Sequence, residues 1–311
     1  MNTRARVTAI PALIAAGALT TLPGFLKSAA AHQDAATPGA VAASEVPAAW
    51  ADLGLPEINL TIGEAIEGMP ESIEAGRYLL TVSGTPGPED FAIGATFLQL
   101  PEGLTFEDAM AQAAEAEDVP PFFYEAIFAG GAAALVPAGQ TSATAIVDLS
   151  AGAGQWIALD PSFARMAVPF EVTGELPADV AEPDSSATIG MGEMYIELNE
   201  GTLTAGDNLV KVVNEGVQPH FVEFMGVPDG TTNDNVTAAI EAEMGATPSA
   251  EPLDMSAAMP VAFLPEQSTG VSTWHAISLE AGTYAVTCWI TDPETGMPHA
   301  MLGMHNVFVV E

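Results

Sequence analysis

The dominant pattern along the chain is short apolar runs of period two, interrupted by Gly, Pro, Asn and Asp. Tyr195–Leu198, Val210–Val213 and Tyr284–Cys288 alternate in this way and predict strands with one buried face. Around Phe106–Glu117 and Asn235–Glu243 the spacing changes and predicts short helices. The plan occurs twice. Tyr78–Ser83, Phe97–Gly103 and the first helical segment match Asn208–Asn214, Phe224–Gly230 and the second, with Pro101 and Pro228 lying 127 residues apart. Farther along, Ile146–Leu149 and Gln155–Asp160 match His275–Leu279 and Thr283–Cys288 at an offset of 128. Each half closes on an alternating strand, Pro169–Val172 and Asn306–Val310. A repeat of this length is a duplicated domain rather than a solenoid unit. The expected fold is all-β, with two β-sandwich domains, each carrying a short helical insert.

The first 31 residues stand outside that plan. Arg4 and Arg6 precede an apolar run from Val7 to Leu26, and Ala29 and Ala31 flank one residue before His32, the form of a signal-peptidase site. The twenty-residue run is also long enough for an uncleaved anchor, but its prolines and the small-residue site favour cleavage. The expected layout is a signal peptide over 1–31, a flexible linker over 32–47 and a first domain over 48–174. A second linker over 175–186 and a second domain over 187–311 follow. The expected location is secreted, with no stable membrane insertion after cleavage.

Charge narrows the partners. The chain carries 41 acidic residues against six basic ones, a formal net charge of −35. Removing the leader takes away Arg4, Arg6 and Lys27 and leaves Arg77, Arg165 and Lys211, at −38. Such a surface repels phosphate backbones and anionic lipid, so no nucleic-acid partner is expected, and an electrostatically attracted protein partner is expected to be basic or bridged by cations.

Cys288 is the only cysteine of an exported chain, and so is either buried and inert or chemically used. Its surroundings favour use. His220 follows a turn at Pro219 and opens an apolar strand; Cys288 ends the next-to-last strand; His299 and Met304 lie in the loop before the last strand. A sandwich carries these positions to one pole. Two imidazoles, a thiolate and a weak axial thioether compose the blue-copper electron-transfer site. Met301 rivals Met304 for the axial place, with Met297 behind it. His275 falls within a strand and His305 enters the last one, so both fit less well.

Through these residues the chain resembles the cupredoxins, the plastocyanin- and azurin-like blue copper family. The resemblance covers about 186–311 in motif and about 50–174 in fold pattern alone. The family pattern is Pro-His before an apolar strand, then Cys, a spacer, His, and Met five residues beyond. Here it reads Pro219, His220, Cys288, His299 and Met304. The resemblance implies one type-1 copper ion held by His220, Cys288, His299 and Met304, single-electron transfer, and a redox partner protein. It departs from the family in length: ten residues separate Cys288 from His299, more than the small blue-copper proteins use, which bears on geometry and redox tuning.

The first half lacks the set. Ile93 stands where His220 does and Asp160 where Cys288 does, and of the four only Met166 has a counterpart, so this domain is expected to be metal-free. The two-domain copper enzymes of this family need a second centre built from extra histidines. Thr287 and Trp289 flank Cys288, and no His-x-His occurs. Gly-x-Ser-x-Gly, His-Glu-x-x-His and phosphate-cradling loops are also missing. The chain is therefore expected not to be an enzyme. Two alternatives remain: copper storage or delivery, drawing on Met191, Met194 and the Met297, Met301 and Met304 cluster, and a metal-free binding or cell-surface module.

Overall fold

A computed structural model describes residues 46–87, 90–116, 119–161 and 166–311. The signal peptide, most of the first linker and Arg165 lie outside the described residues. Among those described, no helix is long and apolar enough to cross a membrane.

The chain folds as an all-β structure of two stacked sheets. The first half supplies β1 (Glu57–Ile62), β2 (Ile66–Glu67), β3 (Ser72–Glu74), β4 (Gly76–Gly84), β5 (Ala92–Gln99), β6 (Ile127–Leu135), β7 (Ser142–Leu149), β8 (Trp156–Leu159) and β9 (Ala167–Thr173). The second supplies β10 (Ala187–Gly192), β11 (Tyr195–Gly201), β12 (Gly206–Asn214), β13 (His220–Val227), β14 (Met259–Gln267), β15 (Ser272–Leu279), β16 (Gly282–Thr287) and β17 (His305–Val310). One sheet runs β11-β10-β12-β15-β7-β4-β1-β2 and the other β17-β16-β13-β14-β6-β5-β8-β9-β3.

Both sheets cross from one half to the other at like edges. β15 pairs antiparallel with β7, Trp274 opposite Ile146 and His275 opposite Ala145, and β14 meets β6 at Gln267 and Ala129. The two sandwiches thus abut edge to edge, which removes the exposed edges that β15, β7, β14 and β6 would otherwise present. A short helical turn, Ala48–Ala51, lays Trp50 over this seam on the outside of the first sheet, against Leu79, Ile146 and Trp274. Arg77 stacks 4.3 Å above Trp274, binds Asp148 through two nitrogens at 2.7 Å and donates to the Ala181 carbonyl. Lys211, also over Trp274, pairs with Glu182. Both described bases therefore fasten the segment joining the halves, and neither faces solvent as a free cation.

Burial patterns follow the layering. β1 alternates exposed and buried residues, whereas β5 and β13 are buried at every position. In β5, Ile93, Ala95 and Phe97 enter the space between the sheets, while Ala92 and Leu98 join Ala109, Met110 and Phe122 of the helical insert. The inserts thus cover the outer face of the second sheet. The first runs Phe106–Glu115 behind Thr105, whose hydroxyl accepts from Asp108 N. The second begins at Asn233, two residues before its expected start, because Thr232 forms a reciprocal capping box with Asn235.

Candidate metal centre

The pole of the second half is built by backbone before side chains enter. Thr291 and Pro298 bridge, so the ten-residue spacer doubles back as a hairpin and returns His299 to Cys288. His299 N donates to Ile290 O at 2.8 Å, Ala300 N to Cys288 O at 2.7 Å, Met304 N to His299 O at 2.9 Å and Cys288 N to Met304 O at 3.2 Å. A 3-10 turn, His299–Leu302, follows, and Gly303 at φ 108° releases the chain into β17, a conformation that favours glycine. The first half repeats the closing bond, Asp160 N to Met166 O at 3.0 Å.

On this frame the side chains of His220, Cys288 and His299 converge. One donor atom from each lies within 4.8 Å of the other two. His220 Nδ1 is 3.1 Å from His299 Nδ1, and Cys288 Sγ is 3.7 Å from His299 Nδ1. Donors that share one ion at about 2.0–2.3 Å lie roughly 3–4 Å apart, so two nitrogens and a sulfur so placed fit a single soft ion. All three residues are fully buried. Met304 is buried beside them and is tied to Cys288 and His299 through the backbone bonds above; Met301 is half-buried. His275 is bound instead to Thr273 Oγ1 at 2.6 Å, and His305 to Thr237 and the Ala300 carbonyl, both away from the cluster.

The outer nitrogens of both rings have acceptors. His220 Nε2 lies 3.4 Å from Glu193 Oε1, and His299 Nε2 lies 3.0 Å from Gln218 Oε1. With a cation between the rings, protons on Nε2 would leave each Nδ1 lone pair pointing into the cluster. Glu193 also accepts from Val217 N at 2.6 Å and Gln218 N at 3.0 Å, fixing the turn before His220. Burial alone would raise the Glu193 carboxyl, but the amides of Gln218 and Val217 outweigh it and hold it low. Burial lowers His220, against the pull of Glu193, and pushes His299 down to about 4, with His220 adding to the effect. Burial drives the Cys288 thiol up to about 12, against backbone hydrogen bonds of Phe221 and Ile290. Both rings are therefore neutral and able to donate a lone pair at neutral pH, while the thiol keeps its proton until a cation displaces it.

Sequence reasoning named the three converging residues and missed those that hold them: Glu193, Gln218, Asp292 and Tyr124. Gln218 directly precedes the Pro-His motif and Asp292 lies within the long spacer, which are the only local signals.

No family model and no curated protein matches the chain. Among solved structures it is similar to reduced auracyanin of Roseiflexus castenholzii, at 23% identity over 40% of this chain and 94% of that one, with a TM-score of 0.26. It is similar to auracyanin A, a blue copper protein of Chloroflexus aurantiacus, at 18% identity over 40% and 98%, TM-score 0.24. It is also similar to copper nitrite reductase of Nitrosomonas europaea, at 8% identity over 82% and 93%, TM-score 0.21. The last finding corrects the expectation that the chain is not an enzyme. Lack of a second histidine centre argues against one oxidase arrangement, not against catalysis.

Proposed function

We propose that the protein is a secreted mononuclear type-1 copper protein that passes single electrons. In this reading His220 Nδ1, His299 Nδ1 and Cys288 Sγ would hold the ion, and Met304 would be a fourth, weaker donor. Copper bound there supplies a one-electron couple, which thiolate, thioether and imidazole donors together stabilise in both oxidation states. The chain's own part is to exclude water from the pole, to keep both rings neutral with their protons on Nε2, and to release the thiol proton when the ion enters. The observation that carries the reading is the buried convergence of His220, Cys288 and His299, with one donor atom from each within 4.8 Å of the other two. Full burial also disfavours the storage or delivery reading, because a hand-over site exposes a ligand to its recipient.

The same proposal takes 48–174 as a metal-free cupredoxin-like copy and 187–311 as the copper-binding one, after cleavage of 1–31. Ile93 and Asp160 are both buried at the matching places, and an apolar side chain there offers no donor. The redox partner is read as basic, since Arg77 and Lys211 are both engaged within the fold.

Adding Cu(II) to the purified protein should give an intense thiolate-to-metal visible band, and Cys288→Ser should abolish it. A protein that stays colourless and retains no copper sinks the proposal.

A further inference from the structure

The long spacer between Cys288 and His299 is organised around one carboxylate. Asp292 is buried, and its Oδ1 accepts from Glu294 N at 3.1 Å, Thr295 N at 2.7 Å and Thr295 Oγ1 at 2.8 Å. Its other oxygen, Oδ2, accepts from Gln218 Nε2 at 2.8 Å. A carboxylate offers only acceptors, so the amide nitrogen of Gln218 must face Asp292 and the amide oxygen must face His299. The Gln218 backbone is held on both sides. Its backbone nitrogen donates to Glu193, and its carbonyl accepts from the buried Asn214 side chain at 2.7 Å. An amide oxygen 3.0 Å from His299 Nε2 requires a proton on that nitrogen.

We propose that Asp292 is a positioning residue that, through Gln218, fixes the proton of His299 on Nε2 and so leaves its Nδ1 bare toward His220 and Cys288. The direction of every hydrogen bond in the chain Asp292–Gln218–His299 follows from the acceptor-only end. On this account the length of the spacer has a use: it carries the carboxylate that polarises the line. The assignment of the proton holds whatever ion is bound, and its consequence for copper rests on the function proposed above.

Asp292→Asn tests the direction with little change of shape. The three donors at Oδ1 hold the new amide oxygen in that place, so the new NH2 group meets Gln218. Gln218 must then turn its own NH2 toward His299 Nε2, which moves the ring proton to Nδ1 and blocks the inward lone pair. Gln218→Glu added to Asp292→Asn reverses this, because the carboxylate so introduced accepts from both neighbours. The first readout is the nitrogen NMR signature of His299 in the metal-free protein at neutral pH, which needs neither copper nor a variant. A proton on Nε2 is expected, and a proton on Nδ1 overturns the proposal. In D292N the proton should shift to Nδ1 and Cu(II) affinity should fall by about 10–100-fold, with both restored in D292N/Q218E. A D292N protein with affinity within about threefold of the parent, or a double variant no better than the single one, overturns it. A blue parent with an unaltered D292N removes this inference alone. A parent that takes no copper removes the copper reading, and the NMR signature still decides the proton.

Discussion

The phenolic hydroxyl of Tyr124 donates to the backbone carbonyl of Thr291 at 2.8 Å, so a side chain of the first half holds the neck of the loop that carries His299. Thr291 precedes Asp292 and bridges to Pro298, where the spacer opens and closes. A side chain of the first half thereby acts on the loop that carries His299 in the second. Tyr124→Phe keeps the ring, which packs edge-on to Phe123 at 5.5 Å, and removes the bond to Thr291. A neutral hydrogen bond contributes about 1 kcal/mol, so the melting temperature should drop by a few degrees at most. Copper release should accelerate more than global stability falls. Equal release rates in the two proteins, measured by stopped-flow chelation, would count against a brace.

Burial of Glu223 sets one pH response. It lies on β13 with a hydrogen bond from Trp289, and burial raises its carboxyl from the ordinary 4.5 to about 7. A group whose folded pKa is raised binds its proton more tightly when folded, so stability is lost as pH climbs from about 4.5 through 7. Glu223→Gln removes that cost. The metal-free variant should gain on the order of 3 kcal/mol over the parent at pH 8 and little near pH 4.5. Denaturant unfolding at the two pH values reads the difference, and an equal gain at both refutes the assignment.

His275 works in the opposite sense. It is buried at the seam, bound to Thr273, and burial lowers it to about 3. Being depressed below its unfolded value, it contributes stability that is present above about pH 6.5 and drains as pH falls toward 3, at ~1.4 kcal/mol per pH unit. Its Thr273 neighbour also packs against Gly130 of β6, where φ is +80° and an added Cβ would lie 2.4 Å from Thr273 Cγ2. Gly130→Ala should therefore cost about 1–3 kcal/mol. Thr273→Ser in the same chain removes the Cγ2 contact, keeps the hydroxyl, and should recover only the steric part. Thermal unfolding of the three proteins checks this, and full recovery would mean that the backbone conformation costs nothing.

Much of this was readable beforehand, for a physical reason. Strands of period two declare themselves locally, as Val210 and Val212 do, and the residues that converge at the pole declare themselves by type and order, as His220, Cys288 and His299 do. Phe97 lies opposite Ala158, and Phe224 lies opposite Val286. What escaped is non-local and made from common residue types. Tyr124 and Thr291 are 167 positions apart, Gln218 and Asp292 are 74 apart, and neither pair leaves a pattern in the sequence. The seam is hidden too, because the alternation of β7 or β15 says which face is buried and nothing about which edge pairs. Catalytic potential was misjudged for a related reason: a missing motif describes one arrangement of residues, not the fold that carries them.

The axial position separates Met304 from its rival. Met304 is fully buried, with its amide bound to His299 O and its carbonyl to Cys288 N, so its Cα moves with those two residues. Met301 is half-buried on the 3-10 turn and donates its amide to Pro298 O, outside that closed set. Met→Leu conserves volume and costs less than about 1.5 kcal/mol in a core, so either variant should remain folded. A thioether donates electron density to the more highly charged oxidation state, and its loss leaves that state less well stabilised. Met304→Leu should therefore keep the blue band and raise the reduction potential, while Met301→Leu should leave both unchanged. Redox titration followed at the visible band gives the two potentials side by side. A shift confined to Met301→Leu reassigns the axial place, and a shift in neither makes the centre three-coordinate.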